Sequence, residues 1–193
     1  RVHRFATGAE AADYLVQTLH GTSIGIGGSV TIDTLGVYDR LCESNEVFWH
    51  WKNHAPETRE RAGKAETYLC SANGVSENGE IVNIDGFGNR VAGTIYGPER
   101  VFLVVGRNKI APDLTGAIDR ARNIAAPLNA RRLNRHTPCA VGEPRCHDCR
   151  SPEKVCGVMT VFFMPPTSSG ARAKAATDPK AARVPIRPRP PSK

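Results

Sequence analysis

The sequence predicts an α/β layered fold with a mainly parallel sheet, and three patterns lead to this prediction. Short apolar runs alternate with segments of helical periodicity, which is typical of strands joined by crossover helices. Glycine stands between several of these segments, where a strand or helix has to end. The run Val101–Gly106 is apolar throughout, as in a strand covered on both faces.

The first elements follow one another in a regular order. Residues 8–20 place alanine, leucine and valine at spacings of three and four before Gly21, which predicts an amphipathic helix. The next segments predict a strand, a glycine turn, a helix, a second strand, a polar helix and a third strand: residues 23–26, 27–29, 30–41, 47–51, 56–66 and 67–72.

The second half of the chain predicts a hairpin, a helix and a final strand. Residues 80–85 alternate polar and apolar side chains before Gly86, which is a hairpin-like signal. Residues 112–125 predict a helix, and Pro127 is expected to end it, because proline lacks the N–H and clashes with the preceding turn. Residues 158–163 predict the last strand.

The charge distribution separates the chain into a body and a tail. Residues 1–164 are expected to form one domain, and residues 165–193 a disordered, basic, proline-rich tail. The tail carries about +6 of the formal net charge of +7, so the body is nearly neutral and no nucleic-acid surface is predicted. No apolar run approaches the roughly 20 residues that span a bilayer, and a cytoplasmic location is expected.

Four of the six cysteines lie close together, at positions Cys139, Cys146, Cys149 and Cys156. The two central thiolates form a short chelating loop, and each side adds one more, which is enough for a tetrahedral zinc ion or an iron–sulfur cluster. The spacing does not decide between these two metals, and His147 could replace one ligand. Two disulfides, or four thiols without a joint role, are the alternatives.

A glycine turn between the first strand and the next helix is a candidate anion site. Gly27, Gly28 and Ser29 could offer backbone N–H groups to a phosphate or a carboxylate. The turn is not a dinucleotide-binding fingerprint, because Val30 occupies the position of the third glycine, and it lacks the GK[ST] ending of a P-loop. An ordinary tight turn is the alternative.

The loop from Asp85 to Arg90 is a second candidate site. Arg90 could pair with a substrate carboxylate, Asp85 could hold a hydroxyl or accept a proton, and Asn89 could bind the ligand. The alternative is a turn with a structural ion pair. His50, between two tryptophans, is a weaker candidate, since strand alternation would turn it away from them toward solvent or a cleft.

Five ordered motifs, between about residue 5 and residue 163, resemble the LUD family. They are G-x-G-G-S-x-T, N-x-x-S-E-N-G-E-I-V-N-x-D-G-x-G-N-R-V, V-V-G-x-N-K-I, N-I-A-A-P-L-N-A-x-R-L and the four-cysteine pattern. Within the family, the chain resembles the lactate-utilisation protein C group, and the four cysteines mark a subgroup.

The resemblance implies a fold akin to the ribose-5-phosphate isomerase and CoA-transferase group. It also implies an accessory component of L-lactate or organic-acid oxidation, which binds a small carboxylate or phosphorylated ligand and works with flavin or iron–sulfur partner proteins. An iron–sulfur electron-transfer subunit and a zinc-stabilised scaffold without catalysis are the alternatives, and whether the chain is an enzyme stays open.

Overall fold

The computed structural model describes residues 2–163, which form two four-stranded sheets with helices packed against them. The tail predicted at residues 165–193 lies outside the described residues. The strands, in chain order, are β1 (Ser23–Ile26), β2 (Glu46–Trp49), β3 (Thr67–Cys70), β4 (Gly74–Ser76), β5 (Ile81–Asp85), β6 (Arg100–Leu103), β7 (Ile110–Ala111) and β8 (Val158–Phe162).

Helices connect most of these strands, and none in the described part of the chain is long and apolar enough to cross a membrane. Thr7, Ser29 and Asp113 cap the first, second and sixth helices, since each side chain accepts a first-turn N–H. The α-helices are α1 (Gly8–Thr18), α2 (Val30–Leu35), α3 (Tyr38–Cys42), α4 (Thr58–Lys64), α5 (Asn89–Ile95), α6 (Leu114–Arg120), α7 (Ala126–Arg132) and α8 (Pro138–Val141).

The first sheet is entirely parallel and has the strand order β2-β1-β3-β6. Side chains alternate across it, so both of its faces are packed. Leu69 of β3 belongs to the core cluster formed with α1, α2 and α3, whereas Tyr68 and Cys70 pack on the other face with Ala62 of α4. The prediction of an α/β layered fold is confirmed.

The apolar run that begins at Val101 forms β6 at an edge of this sheet. Phe102 packs against the cluster on one face, and Val101 and Leu103 pack against the cluster on the other. The expectation that both faces of the strand are covered is therefore confirmed.

The second sheet is mixed and has the order β7-β4-β5-β8. The strand predicted at residues 80–85 is β5, and it forms an antiparallel hairpin with β4, the strand before it. The turn of this hairpin is at Gly79, which adopts φ +100°, a conformation that favours glycine, whereas the chain after Gly86 enters α5. β8 pairs antiparallel with β5 along its whole length, and β7 pairs parallel with β4. A cluster of Val82, Ile84 and four alanines packs one face of this sheet; the alanines are Ala111, Ala117, Ala121 and Ala126.

The helix predicted at 112–125 continues beyond Pro127, so the expectation that this proline ends it is wrong. A π-helical segment, Ala121–Ala125, links α6 directly to α7. The wider turn precedes the proline, and Pro127 then occupies the first turn of α7, where a missing N–H costs little.

Gly25 allows α4 to lie directly on β1. A Cβ at this position would be 1.9 Å from the backbone oxygen of Ala62, so Gly25→Ala should lower the free energy of unfolding by about 2 kcal/mol or more. Gly63, in the same helix, has open space at its Cβ, and Gly63→Ala should raise stability by about 0.5–1 kcal/mol. Urea unfolding measures both variants, and equal effects would contradict the close packing.

Candidate functional site

A cavity of about 680 Å³ lies at the carboxyl ends of the parallel strands. Gly28 follows β1, His50 follows β2, Ser71 follows β3 and Lys109 follows β6, and all four residues line it. The chain leaves β1 toward β2 on one side and returns to β3 on the other, so the strand order reverses between β1 and β3. Open α/β sheets bind their ligands at such a reversal.

The lining of this cavity carries a strong excess of positive charge. Asp85 is the only carboxylate among the described lining residues, and His50 and His54 add two imidazoles. The cationic lining residues are Arg59, Arg90, Lys109, Arg132 and Arg135. Because like charges in a cleft reinforce one another's potential, the cavity is suited to an anion.

Arg90 holds the two sheets together from within the cavity wall. Its side chain is buried, and its terminal nitrogens donate four hydrogen bonds of 2.5–2.9 Å. The acceptors are neutral: the carbonyls of Ser71 and Ile84 and the side-chain oxygens of Asn73 and Asn83. A bidentate contact with a ligand would therefore require at least one of these bonds to break.

Asp85 and Asn89 lie where β5 passes into α5. One carboxylate oxygen of Asp85 accepts the N–H groups of Arg90, at 2.9 Å, and Val91, at 3.3 Å, so it caps the first turn of this helix. Both Asp85 and Asn89 line the cavity. Their predicted roles toward a ligand stay predictions.

The glycine turn contributes two of its three predicted residues to the cavity, Gly28 and Ser29. The hydroxyl of Ser29 accepts the N–H of Ile32 and caps α2. Gly27 is not a lining residue; a Cβ there would lie 2.8 Å from the side chain of Arg90. The absence of a side chain at Gly27 therefore gives Arg90 its space.

Lys109 reaches the cavity from the 3-10 turn Arg107–Lys109, which precedes β7. Its Nζ donates to Thr31 Oγ1 at 2.8 Å and to Ser71 Oγ at 2.7 Å. Burial, with the positive charges of Arg120 and Arg90, lowers the pKa of this amine to about 8.

His50 lines the cavity, although β2 ends at Trp49 and strand alternation does not extend to it. Burial and the charge of Arg59 lower the pKa of this histidine, and the opposing effect of Asp85 is smaller. Trp51, the next lining residue, stacks on Trp49 with ring centroids 5.6 Å apart. The weaker sequence-based candidate thus lies at the cavity after all.

The cysteine segment, residues 139–156, is attached to the π-helical segment that precedes α7. Arg122 donates from Nη2 to the thiol sulfur of Cys146 at 3.3 Å and pairs with Asp148, and the side-chain oxygen of Asn123 accepts the N–H of Cys146 at 2.8 Å. Ala125, in the same segment, lines the cavity. The π-helical segment therefore contacts both the cysteine segment and the cavity.

The four predicted metal ligands are half-buried thiols, and none forms a disulfide. Burial raises the pKa of the Cys156 thiol, Lys154 opposes the rise, and negative charge at Cys146, Cys149 and Cys139 adds to it, so the other three lie within electrostatic range. No group of three or more His, Cys, Asp or Glu side chains within residues 2–163 is arranged to hold a metal ion. The donor set suits zinc or iron, and the metal stays a prediction.

Residues 1–163 match the family model described as the LUD domain. The chain belongs to the LUD domain family. The family indicated by the five motifs is thereby confirmed, whereas the lactate-utilisation protein C group and the four-cysteine subgroup stay predictions. No curated protein and no solved structure matches the chain significantly.

In this LUD domain, sequence reasoning missed most of the cationic residues that line the cavity. Arg59 and Arg135 lie outside the five motifs. Arg132 is the arginine of the motif N-I-A-A-P-L-N-A-x-R-L, but the motif by itself indicated no site role for it. Lys109 carried a usable signal, because it ends a polar turn, Gly-Arg-Asn-Lys, that directly follows an apolar strand. Polar residues after parallel strands collect at one edge of the sheet.

Arg90 is expected to be a stability residue of the LUD domain as well as a cavity residue. Arg90→Ala would leave four acceptors without their donor, and the free energy of unfolding should fall by on the order of 3 kcal/mol. Arg59 lines the same cavity but is exposed, so Arg59→Ala should change stability by no more than about 0.5 kcal/mol. Urea unfolding compares them, and similar small losses would contradict the bridging role.

Proposed function

We propose that the cavity binds a small organic anion, a carboxylate or a phosphorylated compound, and that the protein is an accessory component of organic-acid oxidation in the cytoplasm. L-lactate is the first candidate ligand, because the five motifs resemble the lactate-utilisation group. The volume of about 680 Å³ lies within the range of roughly 300–1,000 Å³ that is common for small-molecule sites.

The excess of positive charge in the cavity carries this proposal. Arg90 donates only to neutral acceptors, and Lys109 donates to two hydroxyls, so neither charge is neutralised by these partners. Charged groups withdrawn from water are costly unless an opposite charge compensates them. An anionic ligand would supply that compensation.

The binding contacts follow from which side chains remain available. Arg59 is exposed and can turn toward a carboxylate, whereas Arg90 acts through its charge because its terminal nitrogens are occupied. Arg132 is also exposed; its Nε and Nη2 donate to Asn129 Oδ1 and its guanidinium lies over the ring of Trp51, so a ligand would meet its remaining N–H groups. Gly28 and Ser29 offer polar groups from the turn after β1, and Asn89 does so from α5. Arginine is well suited to this contact, since its planar fork matches a carboxylate.

L-lactate binding is expected to be detectable by calorimetry and to change tryptophan fluorescence, because Trp51 lines the cavity and the chain has two tryptophans. The double variant Arg59→Ala/Arg132→Ala should bind about tenfold more weakly or worse, since charge-assisted hydrogen bonds contribute about 1.5–3 kcal/mol. Lactamide, the uncharged amide of the same molecule, should not bind.

Lys64→Ala is the matched control, because it removes an exposed cation of α4 that does not line the cavity. It should keep the parent affinity. Equal affinity of the double variant and Lys64→Ala would reject the cavity as the anion site, and inorganic phosphate in place of lactate separates a phosphate site from a carboxylate site.

A second function, electron transfer through an iron–sulfur cluster, is favoured by the four thiols of the cysteine segment. Cys139, Cys146, Cys149 and Cys156 would hold the metal, and the cluster would exchange single electrons with a flavin or iron–sulfur partner. Arg122 already donates to the sulfur of Cys146, a contact that stabilises a ligating thiolate. With zinc instead, the site would stabilise the loop.

Anaerobic purification, metal analysis and a visible spectrum distinguish these cases. Broad absorbance at roughly 400 nm together with bound iron is expected for a cluster, whereas bound zinc gives no colour. Cys146→Ser should release the metal, because it removes a ligand from the short chelating loop.

Cys42→Ser is the control for this experiment, since Cys42 is an exposed thiol in α3, outside the cysteine segment. It should retain the full metal content. A parent protein that carries neither iron nor zinc would reject both metal assignments.

A further inference from the structure

The amine of Lys109 occupies an unusual position in the cavity wall. It comes from the turn after β6 and inserts between a hydroxyl of α2 and one that follows β3, Thr31 and Ser71. The carbonyl of the same Ser71 accepts a hydrogen bond from Arg90. The third N–H of the ammonium has no acceptor among residues 2–163, and the residue lines the cavity.

These surroundings increase the neutral, nucleophilic fraction of the amine, although the charged form still predominates at pH 7. Burial and the charges of Arg120 and Arg90 lower its pKa to about 8, and Cys70 opposes the change. At pH 7 the neutral fraction is then on the order of a hundredfold larger than that of an ordinary lysine. Lysines that form covalent intermediates with carbonyl compounds are activated in this way, by desolvation or by a neighbouring cation.

We propose that Lys109 forms a reversible imine with the carbonyl carbon of a 2-oxo acid bound in the cavity. The inference rests on the proposed anion-binding function and names the substrate class of that site. Nζ bonds to C2 to give a carbinolamine, the C–O bond then breaks, and the oxygen leaves as water with both protons that the amine loses. The reaction needs no oxidant or reductant.

The neighbouring groups match the steps of this reaction. The hydroxyls of Thr31 and Ser71 lie within hydrogen-bond distance of Nζ and can pass protons between the amine and the departing oxygen. Arg59 and Arg132 line the same cavity and can hold the carboxylate next to the carbonyl. The cavity thus calls for a carbonyl carbon that the amine can attack and for an anionic group that the arginines can hold. A 2-oxo acid has both groups, whereas a simple ketone has only the carbonyl.

A 2-oxo acid is the oxidised form of a 2-hydroxy acid, and the two differ at the carbon that Lys109 would attack. A 2-hydroxy acid has a hydroxyl instead of a ketone at C2, so it can bind in the cavity but cannot form the imine. The amine would therefore distinguish the oxidised form from the reduced form in one cavity, and the reaction that supplies the substrate is the oxidation of a 2-hydroxy acid.

Reductive trapping tests the inference on the full chain. The protein is incubated at pH 7 with pyruvate and cyanoborohydride, which reduces an imine to a stable secondary amine, and peptide mapping by mass spectrometry locates the carboxyethyl group. Lys109 should be modified at least about tenfold faster than exposed Lys64. An excess of L-lactate should slow the reaction at Lys109 and leave Lys64 unchanged.

Two variants of Lys109 separate its role as a nucleophile from the effect of its positive charge. Lys109→Arg keeps the cation but has no nucleophilic amine, so it should give no adduct in this peptide and bind L-lactate more tightly than Lys109→Met does. Lys109→Met should give no adduct and bind lactate more weakly. Acetone, a ketone without a carboxylate, should modify Lys109 more slowly than pyruvate does at the same concentration.

The outcomes distinguish this inference from the function on which it rests. Lactate binding without preferential labelling of Lys109 would overturn the imine and leave the anion site standing. Loss of both lactate binding and labelling would overturn both. Labelling by acetone as fast as by pyruvate would overturn the 2-oxo acid as the substrate class.

Discussion

The guanidinium of Arg90 is the contact on which the arrangement of the two sheets depends. It donates to Ser71 and Asn73, which follow β3 of the first sheet in the chain, and to Asn83 and Ile84 of β5 in the second sheet. These acceptors are backbone carbonyls and amide oxygens, which a lysine could not bridge in the same way, because the planar fork of arginine presents its donors in fixed directions. The cavity exists because the two sheets meet along this bridge.

The bridge also explains the electrostatics of the cavity. A buried cation that donates only to neutral groups keeps its field, and Arg120, which donates to the carbonyl of Asn73, and Lys109, which shares Ser71 with Arg90, lie beside it. Burial, and after it the like charges of Arg120 and Arg90, lower the pKa of Lys109. The same arrangement that joins the sheets therefore leaves an unbalanced positive charge facing an open cavity.

The π-helical segment Ala121–Ala125 brings the cysteine segment next to this cavity. Arg122 and Asn123 hold Cys146 on one side, while Ala125 faces the cavity. A second contact lies at the end of the cysteine segment, where the carbonyl of Gly86 is so close to Gly157 that a Cβ there would be 2.6 Å from it. Isolated π turns within helices often occur at functional sites.

The sequence by itself determined the α/β class, the strands β1, β2, β3, β5, β6 and β8, the helical segments that contain α1 to α4 and α6, and the family, because these follow from local periodicity, turn residues and ordered motifs. It also indicated Gly28, Ser29, Asp85, Asn89 and Arg90, all of which line one cavity. Only the tertiary structure decided that Pro127 lies inside a continuous helix, that Arg90 is committed to four protein acceptors, and that Arg59, Lys109 and Arg132 share its cavity. The physical reason is that hydrogen-bond partners and electrostatic neighbours are set by distances across the fold, which the spacing of residues along the chain does not encode.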